Sequence, residues 1–172
     1  MKGCGRRCHI SRGIIAGACL MSAVPAVAEL PVDPAIQSLL AKHDKAIKDQ
    51  DLAAVVSTFA SGSDTVLLGT GPGERWLGQQ EIKTAYEHFF ADFDRGTLNI
   101  ECGSRASGRK GDLAWLAAIC RFTDSLGNRK RAYDVNITAV AERENGVWRF
   151  RSFHFSNLTG GAAAQPPGGG RE

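Results

Sequence analysis

The amino-acid sequence predicts an α+β fold in which a curved antiparallel sheet is wrapped by three N-terminal helices. Apolar residues recur at helical spacing in the first half of the chain, whereas the second half alternates apolar and polar residues between glycine-bearing turns. Residues 29–159 have the size of a single domain. Residues 160–172 are rich in glycine and proline and are predicted to be a disordered tail.

Three helices are predicted ahead of the sheet. The first runs from about Asp33 to Lys48, Asp51 caps a short second helix, and the third begins near Gly78 and ends before Gly96. Each helix has one apolar face, which is expected to pack on the sheet. These faces hold Ile36, Leu39, Leu40, His43 and Ile47, then Leu52, Val55, Val56 and Phe59, then Ile82, Ala85, Tyr86, Phe89, Phe90 and Phe93, whereas Glu87, His88 and Asp92 are expected in water.

The strands that follow are joined by short connections, so neighbouring strands should be antiparallel. The pair Asn145-Gly146 predicts a two-residue type I′ turn, because both residues tolerate a positive φ. If Glu144 then pairs with Val147, the numbers of paired residues sum to 291 along the whole hairpin. The predicted strands cover residues 65–68, 97–106, 113–123, 132–143 and 147–157.

This register assigns the two faces of the last hairpin. Ile137 and His154 are predicted on the inner face, toward the helices. The outer face then carries Val140, Phe153 and Phe155 among polar residues, and these apolar side chains predict a homodimer surface. A register slip of one residue would exchange the two faces.

The N-terminus has the pattern of a cleaved export signal spanning residues 1–28. Four basic residues precede an apolar stretch that Pro25 ends, and Ala26-Val27-Ala28 is a small-x-small cleavage pattern. The apolar stretch is roughly a dozen residues, whereas a membrane-spanning helix needs about 20. The sequence therefore predicts a periplasmic or secreted protein that is not held in the membrane after cleavage.

Removal of this signal changes how the composition is interpreted. The signal contains four of the 21 basic residues and none of the 18 acidic residues, so the remaining chain has 17 basic and 18 acidic side chains. A nearly neutral chain without a basic stripe is not expected to bind nucleic acid. Only Cys102 and Cys120 remain of the five cysteines, too few for a metal cluster, and no metal or cofactor is predicted. A pairing sum of 222 would place these two cysteines opposite each other, where a disulfide is one outcome and two buried thiols the other.

Several segments resemble the SnoaL-like branch of the nuclear transport factor 2-like superfamily. The resemblance spans about residues 33–158 and rests on the segment Leu67–Trp76, the helix start at Gly78, Asp112–Trp115 and the alternation from Trp148 to His154. It implies a cone-shaped α+β barrel that encloses an apolar pocket and is usually a homodimer. Relatives use such a pocket for cyclisation, isomerisation, dehydration, hydrolysis or plain ligand binding, and fold alone does not choose among these.

The candidate site residues follow from the predicted faces. His154 is a candidate acid or base on the inner face, or else a buried neutral imidazole. Tyr86 and Tyr133 offer hydroxyl groups. If the loop from Asp124 to Lys130 pairs Thr123 with Arg131, Arg121 faces Tyr133 and would bind a ligand anion; the alternative is a surface strand arginine. Trp76 would cover the pocket mouth or anchor its loop.

Two further features bear on the activity. His43 lies on the apolar face of the first helix and is expected to be a satisfied core histidine. No carboxylate is assigned to the inner face, which lowers the expectation of an isomerase, since such relatives use an inner carboxylate as base. The sequence therefore predicts an exported small-molecule-binding domain. The alternatives are an enzyme of the same fold that uses His154, and a homodimeric interaction module without a ligand.

Overall fold

The structure is a computed structural model that describes residues 32–158. The predicted export signal and the predicted C-terminal tail lie outside the described residues. The elements in chain order are α1 (Pro34–Lys48), α2 (Leu52–Ser57), β1 (Val66–Leu68), β2 (Arg75–Leu77), α3 (Gly78–Phe90), β3 (Asn99–Lys110), β4 (Leu113–Leu126), β5 (Arg129–Glu144) and β6 (Val147–Asn157).

The helices begin where the capping residues predict. Asp33 caps α1 by accepting a hydrogen bond from the Ala35 amide at 3.0 Å, and Asp51 caps α2 by accepting one from the Ala54 amide at 2.9 Å. The third helix starts at Gly78, whose φ of +67° suits a residue without a side chain. The three predicted helices are therefore confirmed.

The six strands form one sheet in the order β2-β1-β6-β5-β4-β3. All neighbouring strands are antiparallel except β1 and β6, which pair in parallel. The α+β class is confirmed, whereas the prediction of a wholly antiparallel sheet is wrong at this pair. The reason is that the chain between β1 and β6 includes a helix and three long strands, so no short hairpin dictates their relative direction.

The β5–β6 hairpin follows the predicted register only near its turn. Asn145 and Gly146 both have positive φ, and Glu144 pairs with Val147 as expected. Four pairs keep the sum of 291, and then a β-bulge shifts the register, so that Ala141 pairs with Phe150 but Val140 pairs with Ser152. Every side chain of β6 beyond the bulge consequently changes face.

This bulge overturns three face assignments. Phe153, predicted on the outer face, is 1% exposed inside the core, and Phe155 packs against that core. His154, predicted on the inner face opposite Ile137, instead pairs with Thr138 on the outer face. Val140 remains on the outer face as predicted.

The bulge coincides with Arg151, the residue that has no partner in the strand pairing. Its guanidinium donates hydrogen bonds to Asp64 at 2.7 Å and to Glu144 at 2.8 Å, and it also pairs with Glu142. A single arginine thus bonds three carboxylates from the β5–β6 hairpin and from the segment before β1. These charged contacts stabilise the shifted register locally.

The β4–β5 hairpin also differs from the prediction by one residue. It closes through a tight turn at Gly127-Asn128, so Thr123 pairs with Ala132 rather than with Arg131. Arg121 therefore lies opposite Asp134 on the outer face, 58% exposed, with 3.3 Å between the guanidinium and the carboxylate. The predicted approach of Arg121 to Tyr133 is wrong, because the loop assumed between the strands is in fact part of both strands.

The β3–β4 pairing matches the sequence at the cysteines. Cys102 lies directly opposite Cys120, which is the predicted sum of 222, and the two sulfur atoms are bonded in the structure. The register shifts just after this pair, between Cys102 and Ser104. The disulfide therefore joins adjacent strands on the inner side of the sheet, where Cys120 is buried.

Candidate functional site

A cavity of about 450 Å³ lies between α3 and the inner face of the sheet. This volume is within the range of sites that hold small organic molecules. Three parts of the chain enclose it: the segment around β1 and β2, the α3 helix with the turn after it, and the strands β4, β5 and β6. The lining consists of Leu67, Gly69, Thr70, Glu74, Trp76, Ala85, Tyr86, His88, Phe89, Asp92, Phe122, Arg131, Tyr133, Val135 and Phe155.

Three of the predicted site residues line this cavity and two do not. Trp76, Tyr86 and Tyr133 are part of its wall. His154 and Arg121 lie on the opposite face of the sheet, because of the bulge in β6 and the tight turn between β4 and β5. A role for His154 as an acid or base inside the pocket does not fit this placement.

Four ionisable residues that were not predicted from the sequence as site residues also line the cavity. We call Glu74, His88, Asp92 and Arg131 the pocket rim; Arg131 is partly buried and the others are exposed. His88 and Asp92 were expected in water, and they are indeed exposed, but at the mouth of the cavity. Position on a helix indicates exposure, but it does not reveal which exposed residues border an opening.

Arg131 belongs to a hydrogen-bonded cluster with a buried carboxylate. Its Nε and Nη2 atoms donate to the two oxygens of Asp124 at 2.7 and 3.0 Å, and the Tyr133 hydroxyl donates to the same carboxylate at 3.2 Å. The Asp124 side chain is 0% exposed. The prediction that no carboxylate faces inward is therefore wrong, since the loop that was expected to carry Asp124 belongs to β4.

The environment of this cluster raises the pKa values of both Arg131 and Tyr133. The bond from Arg131 to Asp124 raises the pKa of the guanidinium, which therefore stays charged. Burial, followed by the charge of Asp124, raises the pKa of Tyr133 well above its ordinary value. Tyr133 is thus a neutral phenol whose hydroxyl donates a hydrogen bond to Asp124. Both oxygens of Asp124 accept hydrogen bonds from Arg131, and one also accepts from Tyr133, so Asp124 is a poor general base.

Tyr86 makes the second buried polar contact at the cavity wall. Its hydroxyl lies 2.7 Å from Nε2 of His43, which is 1% exposed and surrounded by Phe59, Phe150 and Phe153. The other imidazole nitrogen lies 3.4 Å from a carboxylate oxygen of the neighbouring residue Asp44. Burial raises the pKa of Tyr86 well above its ordinary value, so this phenol also stays neutral. The expectation that His43 is a satisfied core histidine is confirmed.

The opposite face of the sheet carries an exposed apolar patch. We call Leu113, Trp115, Ile119 and Val140 the outer patch; each is between 39% and 51% exposed. Trp115 and Val140 are paired across β4 and β5. Of the three residues predicted for a dimer surface, only Val140 belongs to this patch.

Residues 32–158 contain no group of three or more His, Cys, Asp or Glu side chains arranged to hold a metal ion. None of their helices has the length and apolar character needed to cross a bilayer.

The curved sheet and the three helices packed on its inner face define an α+β fold with a cavity between the two layers. The model of the SnoaL-like domain matches residues 36–160, and the chain belongs to this family. No functionally curated protein matches the chain.

Solved structures with the same fold are distant in sequence. A nuclear transport factor 2-like superfamily protein from Salmonella enterica is 16% identical with a TM-score of 0.64, over 77% of this chain and 94% of that chain. A nuclear transport factor 2-like protein of unknown function from Pseudomonas putida is 20% identical with a TM-score of 0.61, over 70% of this chain and 82% of that chain. A protein from Nostoc punctiforme with a cystatin-like fold is 17% identical with a TM-score of 0.61, over 74% of this chain and 95% of that chain. These similarities establish the fold.

Proposed function

We propose that this protein is an exported domain that binds a small, largely apolar molecule in the cavity beneath α3. The observation that carries the proposal is the wall of the cavity, which contains six aromatic rings within about 450 Å³. Pockets that bind small molecules combine apolar and aromatic walls with a few polar groups. A bicyclic or tricyclic ring system has a suitable size for such a space.

Binding is favoured over catalysis by the state of the polar groups in the wall. The hydroxyl of Tyr133 donates to Asp124, and the hydroxyl of Tyr86 is bonded to His43. The Asp124 carboxylate is held by Arg131 as well. Both phenols have raised pKa values and stay neutral, and the Asp124 carboxylate is shared by two donor residues, so none of these groups is set up to take a proton from a substrate. An enzyme that uses His154 in this pocket is not supported, because His154 lies on the outer face.

The binding proposal is tested by titrating a library of aromatic compounds into protein that begins at Glu29. Compounds that fit should raise the melting temperature, and Val135→Phe, which fills the cavity, should abolish the shift. His154→Ala and Arg121→Ala serve as matched controls and should bind as the wild type does. Equal binding by Val135→Phe and the wild type would contradict the proposal, and the absence of any shift would favour the interaction module without a ligand.

A second proposal concerns assembly. We propose that two copies associate through the outer patch, because four large apolar side chains on one sheet face are costly to leave in water. Trp115 packs closely over Gly108, where an added Cβ would lie 2.3 Å from the indole. Trp115→Glu should yield monomers in analytical ultracentrifugation, while Glu87→Gln on α3 should not change the mass. A monomeric wild-type protein at high concentration would refute this proposal.

Export is proposed from the N-terminal pattern alone. The full chain, expressed in a Gram-negative host, should be recovered from the periplasm with Glu29 as its first residue. Replacing Ala26 and Ala28 with lysine should block cleavage, since the peptidase requires small residues there. Full-length protein that stays in the cytoplasm would contradict the proposal.

A further inference from the structure

The pocket rim carries an excess of negative charge. Glu74 and Asp92 lie on the lining, and neither carboxylate forms an ion pair with any residue of the described range 32–158. Among the described residues that line the cavity, Arg131 is the one lysine or arginine, and its charge is matched by the bidentate contact with Asp124. With His88 counted as neutral, the two lining carboxylates Glu74 and Asp92 therefore leave the pocket rim with a net negative charge.

The Glu74 carboxylate is held in position by the loop before β2. One carboxylate oxygen accepts a hydrogen bond from the Gly71 amide at 2.7 Å. The same side chain covers Gly69, where an added Cβ would lie 2.2 Å from a carboxylate oxygen and 2.9 Å from the Glu74 Cβ. The glycines therefore allow Glu74 to fold over the loop and to keep its charge at the lining of the cavity.

The aromatic wall of the cavity is a second feature, beside the rim carboxylates, that favours binding of a cation. The faces of aromatic rings carry negative electrostatic potential and attract positive charge, and pockets of several rings recognise ammonium groups in this way. Six rings line this cavity. The Arg131 guanidinium already lies over the ring of Tyr133, with 6.0 Å between its carbon and the ring centroid.

The tyrosine and arginine donors in the same wall are largely engaged inside the protein. The Tyr133 hydroxyl donates to Asp124, and the Tyr86 hydroxyl is bonded to His43. Two of the donors of Arg131 are directed at Asp124. A carboxylate or phosphate placed here would also face the charges of Glu74 and Asp92.

From these observations we infer that the pocket takes a ligand with an aromatic or aliphatic ring body and a positively charged amine or quaternary ammonium group. The ring body packs among the six aromatic side chains, and the cation lies toward the carboxylates of the pocket rim. This inference rests on the proposed binding function and specifies the chemical class of its ligand.

The inference is tested with three probes that share one ring system and differ in charge: tryptamine, 3-ethylindole and indole-3-acetate. Calorimetric titration should show that tryptamine binds about 2- to 30-fold more tightly than 3-ethylindole, the range expected for a cation on aromatic faces. Indole-3-acetate should bind most weakly. The advantage of tryptamine should decrease as the salt concentration rises, because the rim carboxylates are exposed to solvent.

Variants locate the effect at the rim. Glu74→Gln and Asp92→Asn should each weaken tryptamine binding about 2- to 5-fold, as expected for an exposed charge, and leave 3-ethylindole unchanged. Glu87→Gln is the matched control, because it removes one negative charge from an exposed position on α3 that does not line the cavity. It should bind all three probes as the wild type does.

The outcomes separate this inference from the binding proposal. If 3-ethylindole or indole-3-acetate binds as tightly as tryptamine, the cation inference is overturned and the pocket function stands. The same conclusion follows if the two rim variants bind tryptamine as well as Glu87→Gln does. If no probe binds to folded wild-type protein, both proposals fail for this class of ring system.

Discussion

Phe150 and Phe153 stand three residues apart on β6, yet both point into the core, with their ring centroids 4.8 Å apart. In a regular strand, residues separated by three positions lie on opposite faces. The bulge between them, at Arg151, is what allows both rings to pack on the same side. They meet around His43, which lies 5.5 Å from the first ring and 4.8 Å from the second.

The first prediction concerns the residue at this bulge. Arg151→Met should lower the free energy of unfolding by about 2–3 kcal/mol, because it leaves Glu142, Glu144 and Asp64 close together without their shared cation. Arg149→Met is the control and should cost less than about 1 kcal/mol, since Arg149 has a single ion pair at 3.6 Å. Urea denaturation measures both. Equal losses for the two variants would show that Arg151 does not stabilise the bulge.

The second prediction concerns pH. Hydrogen bonding to Arg151 lowers the pKa of Glu142 below its ordinary value. A carboxyl group whose pKa is lower in the folded state contributes stability that is present above its unfolded pKa of about 4.3 and is lost as the pH falls through the folded pKa. Wild-type stability should therefore decrease below about pH 4.3, and Glu142→Gln should reduce this decrease. Identical pH profiles for wild type and variant, measured by thermal unfolding, would contradict the assignment.

The third prediction concerns the buried pair of His43 and Tyr86. Tyr86→Phe should destabilise the fold by about 1–3 kcal/mol, because it leaves Nε2 of a buried imidazole without a partner. The double variant His43→Leu with Tyr86→Phe removes both polar groups and should recover part of that loss. A double variant no more stable than Tyr86→Phe alone would contradict this account.

The fourth prediction concerns the bond between Cys102 and Cys120, which closes a segment with a sequence separation of 18. Reduction should lower the free energy of unfolding by about 3 kcal/mol, the size expected for a loop of this length. Alkylation under denaturing conditions should label both cysteines only after reduction, as measured by intact mass. The double variant Cys102→Ala with Cys120→Ala should be as stable as the reduced protein and insensitive to reductant.

Local sequence determined the helices and five of the six strands of this fold, but not β2. The caps at Asp33 and Asp51, the helix start at Gly78 and the turn at Asn145-Gly146 depend on the chemistry of a few neighbouring residues, and all are found as predicted. The opposed cysteines and the inner face of β5 follow from the same alternation. Tyr86 and Tyr133 line the cavity because their faces follow uninterrupted helix and strand periodicity, whereas Trp76 lines it from β2, a strand that the sequence did not predict.

Only the tertiary structure decided which side chains of β6 and β4 share the cavity. His154 and Arg121 were assigned inward because alternation was extended past a bulge and past a turn of unknown length, and each error of one residue reverses a whole face. Arg151 at the bulge also bonds Asp64, which is distant in sequence, and no local pattern reveals such a contact. The pocket rim likewise forms only when separate elements meet. Local sequence predicts that a residue is exposed, but it does not predict which exposed residues border the same cavity.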